Sequence, residues 1–161
     1  SYGHLLYASW ENRDSLLVTR KEFEDDLRKS FEIMLPFGIT PQNSPFFIPP
    51  YEYYNCKISA WAQNMGLQLI NFTPGTITNA DYTTPDMKNY KSSKEILNRV
   101  MEVEKKEGLN GHLILVHFGT DNLRTDKFYK KPLTQLIRNL QNKGYKFVPL
   151  LEALGYSSII K

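Results

Sequence analysis

A chain of 161 residues with 41% hydrophobic and 23% charged content is long enough to close one hydrophobic core and too apolar to stay disordered. Its formal charge of +3 is spread over mixed-sign stretches such as Arg20-Lys21-Glu22 and Lys105-Lys106-Glu107, so no basic tract is present to hold a nucleic-acid backbone. The single cysteine, Cys56, excludes an internal disulfide framework, and no apolar run approaches the roughly 18 residues needed to span a membrane.

The opening Ser1-Tyr2-Gly3-His4 has neither an initiator Met nor a signal-peptide pattern, so the sequence reads as entered partway through a longer one. Thr19-Arg20-Lys21-Glu22 has capping-box spacing, and Phe23, Leu27, Phe31 and Met34 follow at helical intervals until Pro36 and Gly38 stop the helix. Phe46-Phe47-Ile48 predicts a strand that gives way at Pro49-Pro50, where two backbone donors are missing, to a shaped loop through Tyr51. Asn55 caps the next helix, whose Ile58, Trp61, Ala62 and Met65 form an apolar stripe before Gly66.

Residues 67–72 predict a second strand, and the polar excursion from Thr73 to Pro85 predicts a binding loop, being longer than an ordinary β-to-α connection. Ser92-Ser93-Lys94-Glu95 repeats the capping-box logic ahead of Ile96, Val100 and Val103. The strongest buried-strand signal is His112-Leu113-Ile114-Leu115-Val116-His117, which fits a parallel strand covered on both faces. Alternation places Leu113, Leu115 and His117 on one face and His112, Ile114 and Val116 on the other. Pro132 fits an early helical position before Leu133, Leu136, Ile137 and Leu140; residues 145–148 predict a short strand and 150–154 a closing helix.

Strands near 46–49, 67–72, 112–117 and 145–148, separated by helices, imply right-handed parallel crossovers, as in a flavodoxin-like sheet or a (β/α) barrel. None is followed by a Gly-rich loop of the dinucleotide or P-loop type, which argues against nucleotide binding. In such folds chemistry sits at the carboxyl ends of the strands, where His117 falls, with Asp121 in the following loop as a carboxylate to orient it. His4, alone, is an ordinary loop histidine, and His112 is structural.

Phe47-Ile48-Pro49-Pro50-Tyr51, the 67–72 run, Leu115-Val116-His117 and the stretch from Leu140 through Gly144-Tyr145 to Leu150 together resemble the later portion of a polysaccharide deacetylase (NodB-homology) domain. The resemblance covers essentially the whole chain through several weak motifs in the right order. It implies that residues 1–161 are the C-terminal portion of one such domain, truncated at its N-terminus: an incomplete distorted (β/α)7 barrel with flanking helices.

By that resemblance, Pro49-Pro50-Tyr51 matches a wall of the family's site, with Ile48 where an arginine is expected, and Phe72 falls near its aromatic wall. Asp81 stands as a substitute, across an insertion, for the family's aspartate. Leu115 would line the acetyl-methyl pocket and His117 would protonate the leaving amine or alcohol. His4 matches the second histidine of a metal-binding His-x-x-x-His, whose first histidine, like the metal-binding and catalytic-base aspartates, would lie upstream of Ser1. Arg124 is the compensating cation for the arginine missing at 48, and Asp121 joins it as a substrate contact. Trp10-Glu11-Asn12-Arg13-Asp14-Ser15 either lines the same mouth, with Trp10 against substrate, or forms a charged surface turn.

The implied activity is metal-dependent removal of acetyl groups from a carbohydrate or acetylated oligosaccharide, in an extracytoplasmic setting and with room for further domains upstream. Zn²⁺ or another divalent ion would serve the complete parent domain, none would be stably held by residues 1–161, and the fragment alone would be inactive. Two other functions compete: a noncatalytic carbohydrate-binding or interaction domain on the same scaffold, and a glycosidase using paired carboxylates drawn from Asp14, Glu52, Asp81 and Asp121.

Overall fold

Thr19 opens the first helix as its spacing predicts: its hydroxyl accepts the Glu22 N–H at 3.2 Å, and the Glu22 carboxylate accepts the Thr19 N–H at 2.7 Å. This helix, α1 (Arg20–Met34), runs into a 3-10 turn at Leu35–Phe37 that ends on Gly38 with φ 74°. The computed structural model describes residues 1–156. They divide into two units, one formed by Ser1–Asn71 with the chain from Leu154 onward, the other by Phe72–Ala153.

The first unit is built on a single β/α/β step. Strand β1 (Phe46–Phe47) pairs in parallel with β2 (Gln68–Leu69), and the crossover between them carries a 3-10 turn at Pro50–Glu52 and helix α2 (Cys56–Asn64). The Asn55 side chain caps α2 by accepting the Ile58 N–H at 3.0 Å. Phe23 and Leu27 of α1, Ile58 and Ala62 of α2, and Tyr7, Phe47 and Leu67 close one core. Phe23 meets Tyr7 and Phe47 edge to face, at centroid distances of 5.0 and 5.8 Å. Tyr7 donates its hydroxyl to the buried Asp26 carboxylate at 2.8 Å, and the same carboxylate accepts the Gly3 N–H at 2.5 Å. Burial pushes the Tyr7 phenol well above its usual range.

The second unit is helical. The Ser92–Glu95 capping box starts α3 (Ser93–Glu107), and α4 (Lys131–Asn142) and the short α5 (Leu150–Ala153) follow. Ile96, Val100 and Val103 of α3 pack with Leu136 and Leu140 of α4 and with Leu109 and Phe128. Gly108, with φ 77°, lets the chain turn out of α3 so closely that the Leu109 N–H reaches the Tyr145 hydroxyl at 3.0 Å.

These elements correct the expectation of a distorted (β/α)7 barrel: the chain is mostly helical, and the described residues hold one sheet of two parallel strands. Residues 112–117 are half-buried and form no strand ladder. Loop and side-chain groups occupy their backbone instead: Leu113 C=O accepts the Thr73 N–H at 2.8 Å, Leu113 N–H reaches the Thr73 hydroxyl at 3.0 Å, and His117 N–H reaches the Asp81 carboxylate at 2.8 Å. An apolar run specifies extended chain and burial, but a ladder also requires a neighbouring strand with backbone groups to exchange.

The predicted strand 145–148 fails similarly. Tyr145 N–H bonds back to Leu140 C=O at 3.0 Å, and Phe147 and Val148 are exposed. The polar excursion 73–85 is not an open loop: it contains a 3-10 turn at Thr78–Tyr82 and buries Thr76, Thr78, Asp81, Thr83 and Thr84. Among the described residues, no helix is long and apolar enough to cross a membrane.

Candidate functional site

The second unit contains the best-defined polar pair. Asp81, within the Thr78–Tyr82 turn, has no exposed surface, and both of its carboxylate oxygens engage His117. Oδ2 accepts the His117 backbone N–H at 2.8 Å, and Oδ1 lies 2.6 Å from imidazole Nδ1. A carboxylate on Nδ1 assigns a proton to that nitrogen, leaving Nε2 as the nitrogen through which a neutral ring takes up and returns a proton. The His117 side chain is 32% exposed, so part of the ring meets solvent. The Tyr82 ring stands edge-on to the imidazole at 5.5 Å.

Asp121, the carboxylate expected beside His117, is placed differently. It is exposed; its Oδ1 accepts the Leu123 N–H at 2.8 Å and its carbonyl receives the Lys127 ammonium at 2.5 Å, which makes it part of a turn. Arg124, expected to face substrate, is fully buried and bonded to protein groups. Such a guanidinium presents no surface to a carbohydrate. Leu115 lies half-buried two residues before His117, and Phe72 is half-buried at the start of this unit.

The first unit brings three other candidates together. The His4 and Tyr51 rings lie 4.9 Å apart, and Trp10 meets Tyr51 edge-on at 6.1 Å. Trp10 is 59% exposed yet fixed: its indole lies 4.2 Å from the Tyr53 ring, whose hydroxyl bonds Ser9 C=O at 3.1 Å. The Arg13 guanidinium covers Tyr53 at 4.6 Å, and Asn55 donates to Arg13 C=O at 2.8 Å. Arg13 therefore braces this loop. His4, Tyr51 and Glu52 all have left-handed backbones, with φ of 49, 59 and 52°, in one small region. Strain at non-glycine residues persists where surrounding structure enforces it, and it gathers at functional surfaces. Ile48 is 42% exposed on the way into this turn and brings no charge.

Among the described residues, no group of three or more His, Cys, Asp or Glu is arranged to hold a metal ion. By the resemblance His4 would supply one donor, and among the described residues it is not grouped with the others of an Asp-His-His set.

Asp81 is the partner that sequence reasoning passed over in favour of Asp121. Its signal lay in the composition of its loop, where Thr76, Thr78, Thr83 and Thr84 supply short hydroxyl side chains able to satisfy buried polar groups. Compared with models of known protein families the chain matches none, and no curated protein sequence matches it.

Proposed function

We propose that this chain handles the proton in the removal of acetyl groups from a carbohydrate, with His117 protonating the departing amine or alcohol and Asp81 holding it for that task. One observation carries most weight: both oxygens of a fully buried carboxylate are directed at one partly exposed histidine. Such a partner suits a proton donor, because the carboxylate fixes ring orientation and tautomer and stabilises the imidazolium from which the proton leaves.

Water adds to the acetyl carbonyl, giving its oxygen to the acetate formed and its protons to solvent. As the bond from the carbonyl carbon to the sugar nitrogen or oxygen breaks, Nε2 of the imidazolium protonates the leaving atom and then regains a proton from solvent, while Nδ1–H stays on Asp81. Leu115 is proposed to border the space for the acetyl methyl. In the first unit, the held but exposed face of Trp10, with Tyr51 beside it, offers flat apolar surface of the kind on which sugar rings stack.

Ile48 favours a second reading, a domain that binds carbohydrate without cleaving it, since an apolar residue stands where the resemblance expects a cation. Glycosidase action finds less support, because the Asp81 carboxylate is already engaged with His117.

The discriminating experiment incubates the complete parent domain, with Zn²⁺ supplied, with an N-acetylated chito-oligosaccharide, following acetate and oligomer length together. Acetate without shortening is expected. Binding without acetate release supports the binding-only domain, and shortened oligomers would contradict deacetylation.

A further inference from the structure

We infer that Arg124 is a positioning residue for the Asp81–His117 pair, acting through the backbone of the turn that carries Asp81; this role rests on the proton-transfer reading of His117.

A buried guanidinium is costly unless its donors and charge are met, so the partners it takes show what it holds. Arg124 has no exposed surface. Its Nη1 donates to Thr83 C=O at 2.7 Å and to Lys91 C=O at 3.0 Å, its Nε to Asp126 C=O at 2.8 Å, and its Nη2 to the Ser93 hydroxyl at 3.3 Å. The Asp126 carboxylate lies 3.8 Å from Nη2, and the Tyr90 ring 5.4 Å from the guanidinium carbon. Three of the four acceptors are backbone carbonyls in loops, so the side chain serves as a clasp between the turn around residue 83, the entry to α3 and its own loop.

Thr83 is the link to the pair. Its N–H and its hydroxyl both bond Ala80 C=O, at 3.0 and 2.6 Å, and its hydroxyl also accepts the Lys91 N–H at 3.3 Å. Those bonds close the turn on either side of Asp81, and Arg124 anchors the closed turn from outside by the Thr83 carbonyl. The turn needs such an anchor. Ile77, immediately before it, has φ 53°, a left-handed conformation that a β-branched side chain strongly disfavours. No strand pairing holds residues 73–91, so the position of the Asp81 carboxylate depends on these side-chain bonds. Lysine is a poor substitute, since one ammonium cannot span the directions that a planar fork serves.

Arg124→Lys in the full chain tests the inference by amide hydrogen exchange. The His117 amide, bonded to Asp81, is expected to exchange about tenfold faster or more, the scale of one lost hydrogen bond to a charged group. Amides of Val100 in α3 and Leu136 in α4 should change far less. Should Arg124→Lys fail to fold, Thr83→Val carries the same expectation, because it keeps the guanidinium and removes the hydroxyl that closes the turn. An unchanged His117 amide, or an acceleration shared equally by α3 and α4, overturns the positioning role and leaves Arg124 as general scaffolding. Selective acceleration alongside a complete parent domain that releases no acetate would retain the positioning role and remove the deacetylation reading.

Discussion

In the complete parent domain, Asp81→Asn is expected to lower kcat for acetate release by about 10²–10⁴-fold, the range over which a positioned proton donor contributes, with KM little changed. The carboxamide has nearly the shape of the carboxylate, so the turn keeps its outline. Its chemistry differs, because the position of one acceptor oxygen is taken by an NH₂ facing either the His117 N–H or Nδ1. If it faces Nδ1, the ring must move its proton to Nε2; if it faces the backbone, a buried donor is opposed by another donor. Either arrangement also removes the negative charge that stabilises an imidazolium. The stability cost is about 1–3 kcal/mol, that of one poorly satisfied buried group, so the variant remains folded and its kinetics interpretable. Steady-state acetate release alongside urea denaturation separates the two effects. A kcat within twofold of the unaltered domain would sink the assigned role of Asp81.

The largest effect on stability is expected from Phe23→Ala. Phe23 has no exposed surface, and its ring meets those of Tyr7, Phe47 and Trp61, which come from the opening segment, β1 and α2. Removing it joins a transfer loss to a cavity bounded by three rings that cannot all close inward, at about 3–5 kcal/mol. That is a large part of the 5–15 kcal/mol that typically holds a domain folded. Urea denaturation followed by tryptophan fluorescence should show the midpoint falling steeply, and Phe23→Leu should recover much of it. An unchanged midpoint would mean that Phe23 is not at the centre of this core.

What the sequence disclosed was local. Both capping boxes, the Asn55 cap, the Gly38 stop and the apolar stripes of α1 to α4 were all readable, because each depends on residues three or four apart. The parallel step from β1 to β2 was visible for a related reason: an apolar run before two prolines and another after a glycine bracket one helix.

The remaining strands were misread, since His112 to His117 has the composition of a buried strand while its backbone partners are Thr73 and Asp81, about 40 residues away. The same separation concealed the candidate site. Asp121 is four residues from His117 and was the natural carboxylate to pair with it, whereas Asp81 lies 36 residues away in a loop without periodicity. The enclosure of Arg124 is not legible in the sequence because charged side chains face solvent by default, and nothing in its immediate sequence announces the carbonyls that surround it. His4, Trp10 and Tyr51, nominated separately, come together through the strained turn at Tyr51 and Glu52.

The most direct test is the protonation of one ring. In a long-range ¹H–¹⁵N correlation spectrum of the histidine-labelled chain, taken where His117 is neutral and assigned with His117→Gln, the proton should reside on Nδ1, and Asp81→Asn should shift that tautomer balance. A neutral His117 carrying its proton on Nε2 in the unaltered chain would contradict the claim that Asp81 holds this imidazole ready for proton transfer.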